Sequence, residues 1–388
     1  MIAAQLVARL PNGMISLAIL MHVEQRTGSY GAAGIVLAAA SVGQAIAGPV
    51  TSRWMGAWGM RRVLTLTLLV CTAAVLALAL LPLNLPGYMA LALLAGLSTP
   101  PVQSAVRTIY PKLVNAGQLT PLFSLDASLQ EIIWIVAPVA ITLVSTQVGT
   151  VQGLLMVAII LVVGGAWFIL SPEVGRVRIP RSRRAFGLVV LKPPVMLATV
   201  IGFLLIGACS AVEVGVVATF GHGGVEAGLV LAVFSVGSLA GGLAFGHIPI
   251  GPWAMARRLL IVTIGLTLTM LSLNVFWIGG TLLLAGLGVA PALAVLFAIT
   301  TASVKFSETA EAFGWAGTGQ LIGAAAGSAA AGILIDGGGG PAGAYLAAAL
   351  FAGVGLIVAV MFVRAFPDLR DRDPSPYPDT EPIQTARL

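Results

Sequence analysis

The sequence predicts an all-α integral membrane protein, with twelve transmembrane helices in two parallel, pseudo-symmetric six-helix bundles. Two observations carry that fold class. Apolar residues make up 58% of the 388 positions and charged residues only 9%, far below the roughly 25% charged that soluble domains carry. Residues 34–48 (GIVLAAASVGQAIAG) recur as residues 228–242 (GLVLAVFSVGSLAGG). Eight of the fifteen positions are identical: Gly34/Gly228, Val36/Val230, Leu37/Leu231, Ala38/Ala232, Ser41/Ser235, Val42/Val236, Gly43/Gly237 and Gly48/Gly242. A repeat shifted by 194 residues, half the chain length, marks an internal duplication.

Hydropathy read against breaks gives the elements in order. The first segment, 3–22, carries Arg9 and the helix-loosening run Pro11-Asn12-Gly13. The second, 29–52, is the first copy of the repeat. The third, 62–81, is uncharged from residue 63 on, close to the roughly 20 apolar residues that a spanning helix needs. The fourth covers 86–108 and the fifth 120–146. The sixth, 150–170, has no charge from residue 153. Residues 171–193 are basic, polar and rich in proline, and form the linker between an N-terminal half (1–170) and a C-terminal half (194–364). The second half then reads 194–219, 225–247 (the second copy), 256–275, 277–300, 308–332 and 341–364, the last uncharged over 345–363. Residues 365–388, dense in Asp, Arg and Pro, lack the apolar content for a core and are expected to be a disordered tail.

Basic residues fix the orientation. Arg53, Arg61 and Arg62 follow the second segment, and Arg107 and Lys112 follow the fourth. Arg176, Arg178, Arg181, Arg183, Arg184 and Lys192 lie in the linker. Arg257, Arg258, Lys305, Arg364, Arg370, Arg372 and Arg387 all fall on the same face, whereas the other face holds Arg26. This bias predicts both termini and the linker in the cytoplasm and the chain in the plasma (inner) membrane. The net charge of +6 then belongs to the lipid surface and calls for no nucleic acid partner. Cys71 and Cys209 both fall inside segments, so no disulfide framework is expected.

The duplication reaches further. Gly96-Leu97 and Pro101 recur as Gly286-Leu287 and Pro291, and Phe123 and Gln130 recur as Phe313 and Gln320, all at a shift of 190. Repeats six helices apart keep the same orientation, so the halves are parallel, which is a transporter arrangement. At this point the chain resembles the major facilitator superfamily over essentially its whole length. That family's second-to-third-helix signature is a Gly, an Asp-Arg pair, then Gly and basic residues. Gly48-Pro49, Arg53, Gly59, Arg61 and Arg62 resemble its frame, while Gly56, followed by Ala57, stands where the acid is expected. Exporter-type members carry Gly-Pro in the fifth helix, and Ala137-Pro138 is a degenerate version. The stretch from Leu125-Asp126-Ala127 through Glu131 to Pro138, and Glu311-Ala312-Phe313-Gly314-Trp315, look like an exporter-like actinobacterial subgroup. The resemblance implies Arg53, Arg61, Arg62, Arg107 and Pro138 as gating positions.

Ionisable residues inside spans are costly and mark function by default. Glu131, near mid-membrane, is the first candidate for proton coupling, because an apolar setting disfavours its charged form. Its structural alternative is a pair with Arg9 or a hydrogen bond to a neighbouring helix. Asp126 lies five residues earlier, about 140° away on a helix. It is either a second coupling acid or a structural partner of Arg107 or Arg9 that locks the cytoplasmic side. Glu213 is either a second proton site or a cation-recognising group, or else an outer-vestibule acid near His222 and Glu226. Arg9 either snorkels to the surface or faces the cavity. Arg9, Asn12, Gln103, Gln130, Trp134, Trp315 and Gln320 are the candidates for contact with substrate, and Gln44 is a further polar lining position. Gly319, Gly323 and Gly327 form a small-residue ladder for close packing.

Other classes fare worse. His22, His222 and His247 lie at segment ends or loops, and no metal-ligand spacing, nucleophile elbow or phosphate loop occurs. No enzyme activity, metal or cofactor is expected. The sequence predicts a monomeric secondary transporter of small molecules that works by rocker-switch alternating access. Proton-coupled efflux of hydrophobic or amphipathic cargo is the leading reading. A sugar or metabolite importer or facilitator and a transport-inactive membrane sensor are the alternatives.

Overall fold

A computed structural model describes residues 1–379 other than Arg183, residues 221–224, His247 and Asp371. The expectations for Arg183, His222, His247 and Arg387 therefore lie outside the described residues. The helices are α1 Ile2–Thr27, α2 Tyr30–Trp58, α3 Met60–Leu80, α4 Leu85–Leu97, α5 Val102–Ile109, α6 Ala116–Gln147, α7 Thr150–Leu170, α8 Pro172–Arg176, α9 Pro193–Phe220, α10 Val225–Phe245, α11 Ala254–Thr269, α12 Val275–Ala302, α13 Phe306–Leu334 and α14 Gly340–Met361. All twelve expected segments are present among the described residues.

Local chemistry sets the breaks. Gly28 ends α1 in the left-handed region at φ 66°, where glycine avoids a Cβ penalty. Asn84 and Asn274 cap α4 and α12 by accepting from Gly87 N (3.0 Å) and Phe276 N (2.9 Å). The fourth segment is not one helix. Thr99-Pro100-Pro101 parts α4 from α5, because two consecutive prolines remove two N–H donors and clash with the preceding turn. Between α13 and α14 the chain makes a π turn over Ile335–Gly339, with Gly338 at φ 96°.

The two copies of the repeat build the same helix crossing. A Cβ on Gly43 of α2 would come within 2.5 Å of Leu93 O on α4, and one on Gly96 of α4 would strike Ala40 O. In the second half, a Cβ on Gly237 of α10 would strike Leu283 O, and one on Gly286 of α12 would strike Phe234 O. These backbones touch because no side chain intervenes, the usual basis of tight helix packing in lipid. The Gly319–Gly323–Gly327 ladder does the same work against α9: Cβ atoms there would meet Thr199 Cγ2 and the Phe203 and Gly207 carbonyls.

The halves meet on the face that carries the basic connections. There α2 packs on α13, and α6 packs on α10 and α12. Thr318 Oγ1 donates to Ala45 O (2.7 Å) and Ser124 Oγ to Gly242 O (2.5 Å). Phe123 of the first half meets Phe297 and Phe313 of the second at centroid distances of 6.1 and 6.2 Å. Among the described residues, every hydrogen bond, ion pair and ring contact found between the halves lies in the membrane midplane or toward the basic face. The bundle is closed on that face.

The tail departs from expectation. Residues 365–388 are predicted to lack structure, yet the chain is docked as far as residue 379. Leu369 N donates to Ile250 O (2.8 Å), Tyr377 N to Val304 O (2.9 Å) and Phe306 N to Tyr377 O (3.0 Å). Asp379 Oδ1 accepts from Ser307 N at 3.2 Å. The first turn of a helix has unpaired N–H groups, and the tail supplies acceptors to the start of α13.

Candidate functional site

The N-terminal half contains a buried ion cluster centred on α6. Arg9 Nη1 reaches Asp126 Oδ1 at 2.8 Å from α1, and Arg107 Nε reaches Oδ2 at 3.1 Å from α5. Tyr110 Oη donates to Oδ1 (2.8 Å) and in turn accepts from Gln5 Nε2 (3.3 Å). The break at Thr99–Pro101 frees α5 to turn its length inward, and residues 104–109 are all buried. Arg107 Nη2 also donates to Gln130 Oε1 (3.1 Å), whose amide meets that of Gln103 at 2.9 Å. The Arg107 guanidinium lies over the Phe297 ring of the opposite half, 3.5 Å from its centroid, a cation–π contact. Asp126 is thus paired with both arginines at once. Arg9 is buried, with its side chain 3% exposed, and does not snorkel.

Glu131 occupies a different face. Its Oε1 accepts from Ser238 Oγ of α10 at 2.9 Å, so a carboxylate of one half is bound to a hydroxyl of the other near mid-membrane. It does not pair with Arg9. Glu213 of α9 is exposed and lies within electrostatic range of Glu131, and Cys209 is near both. The two α6 acids diverge as five-residue spacing on a helix requires: Asp126 faces α1 and α5, and Glu131 faces α10.

The remaining candidates scatter. Asn12 is half-buried on α1, next to Gly13, where a Cβ would sit 2.8 Å from Ala137 Cβ. That close approach places the half-buried Pro138 where α6 crosses α1. Trp134 is 52% exposed. Gln320 packs against Gly202 of α9, with its Cγ 3.4 Å from where a Cβ would stand. The Trp315 ring lies 5.8 Å from that of Phe186 of the linker, tilted by 42°. Among the gating arginines, Arg61 donates to Ile169 O (3.2 Å) and Ser171 O (3.3 Å). Arg62 is exposed.

Arg53, one of the expected gating positions, meets partners outside the expected set. It binds Glu311 of α13 at 2.5 Å and donates to Arg184 O of the linker. Glu311 Oε1 accepts from Gly187 N at 2.8 Å, and Glu308 holds Lys192 at 2.6 Å. A Cβ on Gly56 would lie 3.2 Å from Pro180 O, so the linker runs where the missing signature acid would stand. The counter-charge comes from the other half instead. The available signal was a pair of acids, Glu308 and Glu311, entering a face otherwise crowded with arginine.

A sequence profile described as Major Facilitator Superfamily matches the chain in two overlapping stretches, residues 1–282 and 210–386. No curated protein matches it in sequence. Solved structures share the fold at low identity. The human organic anion transporter MFSD10 is 15% identical with a TM-score of 0.70, covering 92% of this chain and 96% of its own. The E. coli fucose:proton symporter is 13% identical with a TM-score of 0.72, covering 92% and 97%. A bacterial homologue of the iron transporter ferroportin, in an outward-facing state, is 13% identical with a TM-score of 0.73, covering 93% and 97%.

Proposed function

The chain belongs to the Major Facilitator Superfamily, whose members are multi-pass membrane transporters, and from that premise we propose that it is a proton-coupled exporter of small amphipathic molecules. Both termini and the linker then face the cytoplasm, as the basic bias requires, and the closed basic face makes this an outward-facing state. The protein works as a monomer in the plasma membrane. One observation carries the reading: the Glu131 carboxylate is hydrogen-bonded to Ser238 across the parting plane between the halves. Rocking the halves breaks that bond, so the solvation of Glu131 changes with the direction of access. An acid whose surroundings alternate in this way loads a proton on one side and releases it on the other. Glu213, exposed and near it, extends the route toward the open face.

Asp126 is assigned to structure in this scheme. Two guanidinium groups are paired with it, whereas Glu131 has no cationic partner in contact among the described residues. The export direction rests on the exporter-like character of the fifth span, with Ala137-Pro138. Glu131→Gln tests the coupling role. In proteoliposomes under an imposed pH gradient, the variant is expected to lose gradient-driven transport while keeping substrate counterflow. Undiminished gradient-driven transport removes Glu131 from coupling, and absence of counterflow in the unaltered protein removes the carrier reading itself.

A further inference from the structure

The buried cluster around Asp126 holds two guanidinium groups against one carboxylate. One positive charge is therefore in surplus, in a setting where uncompensated charge is costly. Arg107 is well provided for: it has Asp126, the Gln130 carbonyl and the face of Phe297. Arg9 is not. Its Nη1 binds Asp126, but Nε and Nη2 are buried without a hydrogen-bond partner among the described residues, as is Gln5 Oε1 on the turn before. A neutral partner could satisfy those N–H groups but would leave the charge surplus untouched. Burying unpartnered guanidinium donors costs stability, and an anion removes both the unpaired donors and the surplus.

Position gives this surplus a purpose. Arg107 is stacked on Phe297, so it lies on the parting plane between the halves. When the basic face opens, that ring withdraws with α12, and the guanidinium groups of Arg107 and then Arg9 face the new cavity. The acids of the transport route, Glu131 and Glu213, lie farther toward the opposite face. Opposite charges are therefore segregated along the membrane normal. Resting on the exporter reading above, the geometry points to a cargo that carries an anionic, carboxylate-type group, bound by Arg9 and Arg107 from the basic side. The fork of a guanidinium suits a carboxylate, and the largely apolar surroundings suit a hydrophobic body attached to it.

Three probes with one ring system separate this from a purely structural cluster: 1-naphthaleneacetate, 1-naphthaleneacetamide and 1-naphthylmethylamine. Each is titrated into the purified full-length chain, with tryptophan fluorescence and melting temperature as readouts. The carboxylate is expected to bind roughly tenfold or more tighter than the amide, as a charge-assisted pair implies, with the amine weakest. Arg9→Gln should shrink that preference to about twofold, and Arg9→Lys should keep part of it. Asp126→Asn, which releases both guanidinium groups, should strengthen carboxylate binding. Equal binding of carboxylate and amide by the unaltered protein overturns the proposal, as does a preference that survives Arg9→Gln. If Arg9→Gln fails to fold, the unaltered protein and Asp126→Asn still decide the matter. Gradient-driven transport of a neutral cargo, without carboxylate binding, sinks the anion site and leaves the exporter reading intact. Carboxylate binding with no gradient-driven movement does the reverse.

Discussion

Asp126 and Glu131 are two acids of one helix, and their neighbours give them opposite tasks. Asp126 is wholly buried between two arginines and a tyrosine. Asp126→Ala leaves both guanidinium groups without their counter-ion, which should cost about 3–5 kcal/mol of stability, measured by the shift in a denaturant unfolding curve. Glu131→Gln keeps an acceptor for Ser238, so its cost should stay near or below about 1 kcal/mol, although it stops coupling. The same assay run on both variants therefore separates a structural acid from a working one. How much of this was readable beforehand depends on the residue. Charges inside spans are few, so Asp126 had few available partners, and Arg9 and Arg107 were among them. Ser238 gave no signal, since a serine in an apolar helix is as often bonded to its own backbone. Trp315 gave no sign of its neighbour, because hydropathy places an aromatic near the interface without saying what lies beside it, and here the linker's Phe186 does.

At the scale of elements, the start of α13 gathers more of the basic-face structure than any pattern in the sequence suggested. Arg53 of α2, the linker at Gly187 and Lys192, and the tail at Tyr377 and Asp379 all converge on residues 304–311. Composition marked the tail as unable to form a core, yet Phe366 and Leu369 are buried in the main one. It could not report the backbone hydrogen bonds by which the tail completes another element's end. The break in the fourth span had a visible cause in Pro100-Pro101, but the apolar run over 88–97 hid it from a reading by hydropathy. The Arg53–Glu311 pair ties the two halves together, and Glu311 is only 3% exposed. Glu311→Gln should weaken the latch by about 1–2 kcal/mol and shift the population toward a basic-face opening by roughly 5–30-fold. A cysteine placed at Ser124, buried between α6 and α10, reports it in a background with Cys71 and Cys209 replaced by alanine. Its labelling from the basic side should be slow in the latched protein and fast with Glu311→Gln. Equal labelling in both would show that the pair does not hold the gate.

For the whole molecule, duplication and its failures divide the work. The matched glycine crossings, Gly43 with Gly96 and Gly237 with Gly286, give each half a pair of helices in backbone contact. Such pairs move as bodies, and this is why the repeat was legible: backbone contact tolerates no side chain, so both copies kept their glycines. The ionisable residues are not duplicated, for Asp126 and Glu131 correspond to Ala316 and Leu321 in the other half. The chemistry of Asp126 and Glu131 therefore sits in one body and the groups that cover it, Phe297 and Ser238, in the other. If the halves do rock as units, fixing them at one point of the basic face should abolish transport. Ala45 and Thr318 offer that point, joined across α2 and α13 by a 2.7 Å hydrogen bond. Cysteines at both positions, in the cysteine-free background, should oxidise to a disulfide that stops counterflow, and reduction should restore it. The cross-linked protein should still admit reagents to Glu213 from the opposite face, as the proposed outward-facing state requires. Counterflow that continues with the disulfide intact would mean that the halves do not alternate as rigid bodies about this contact.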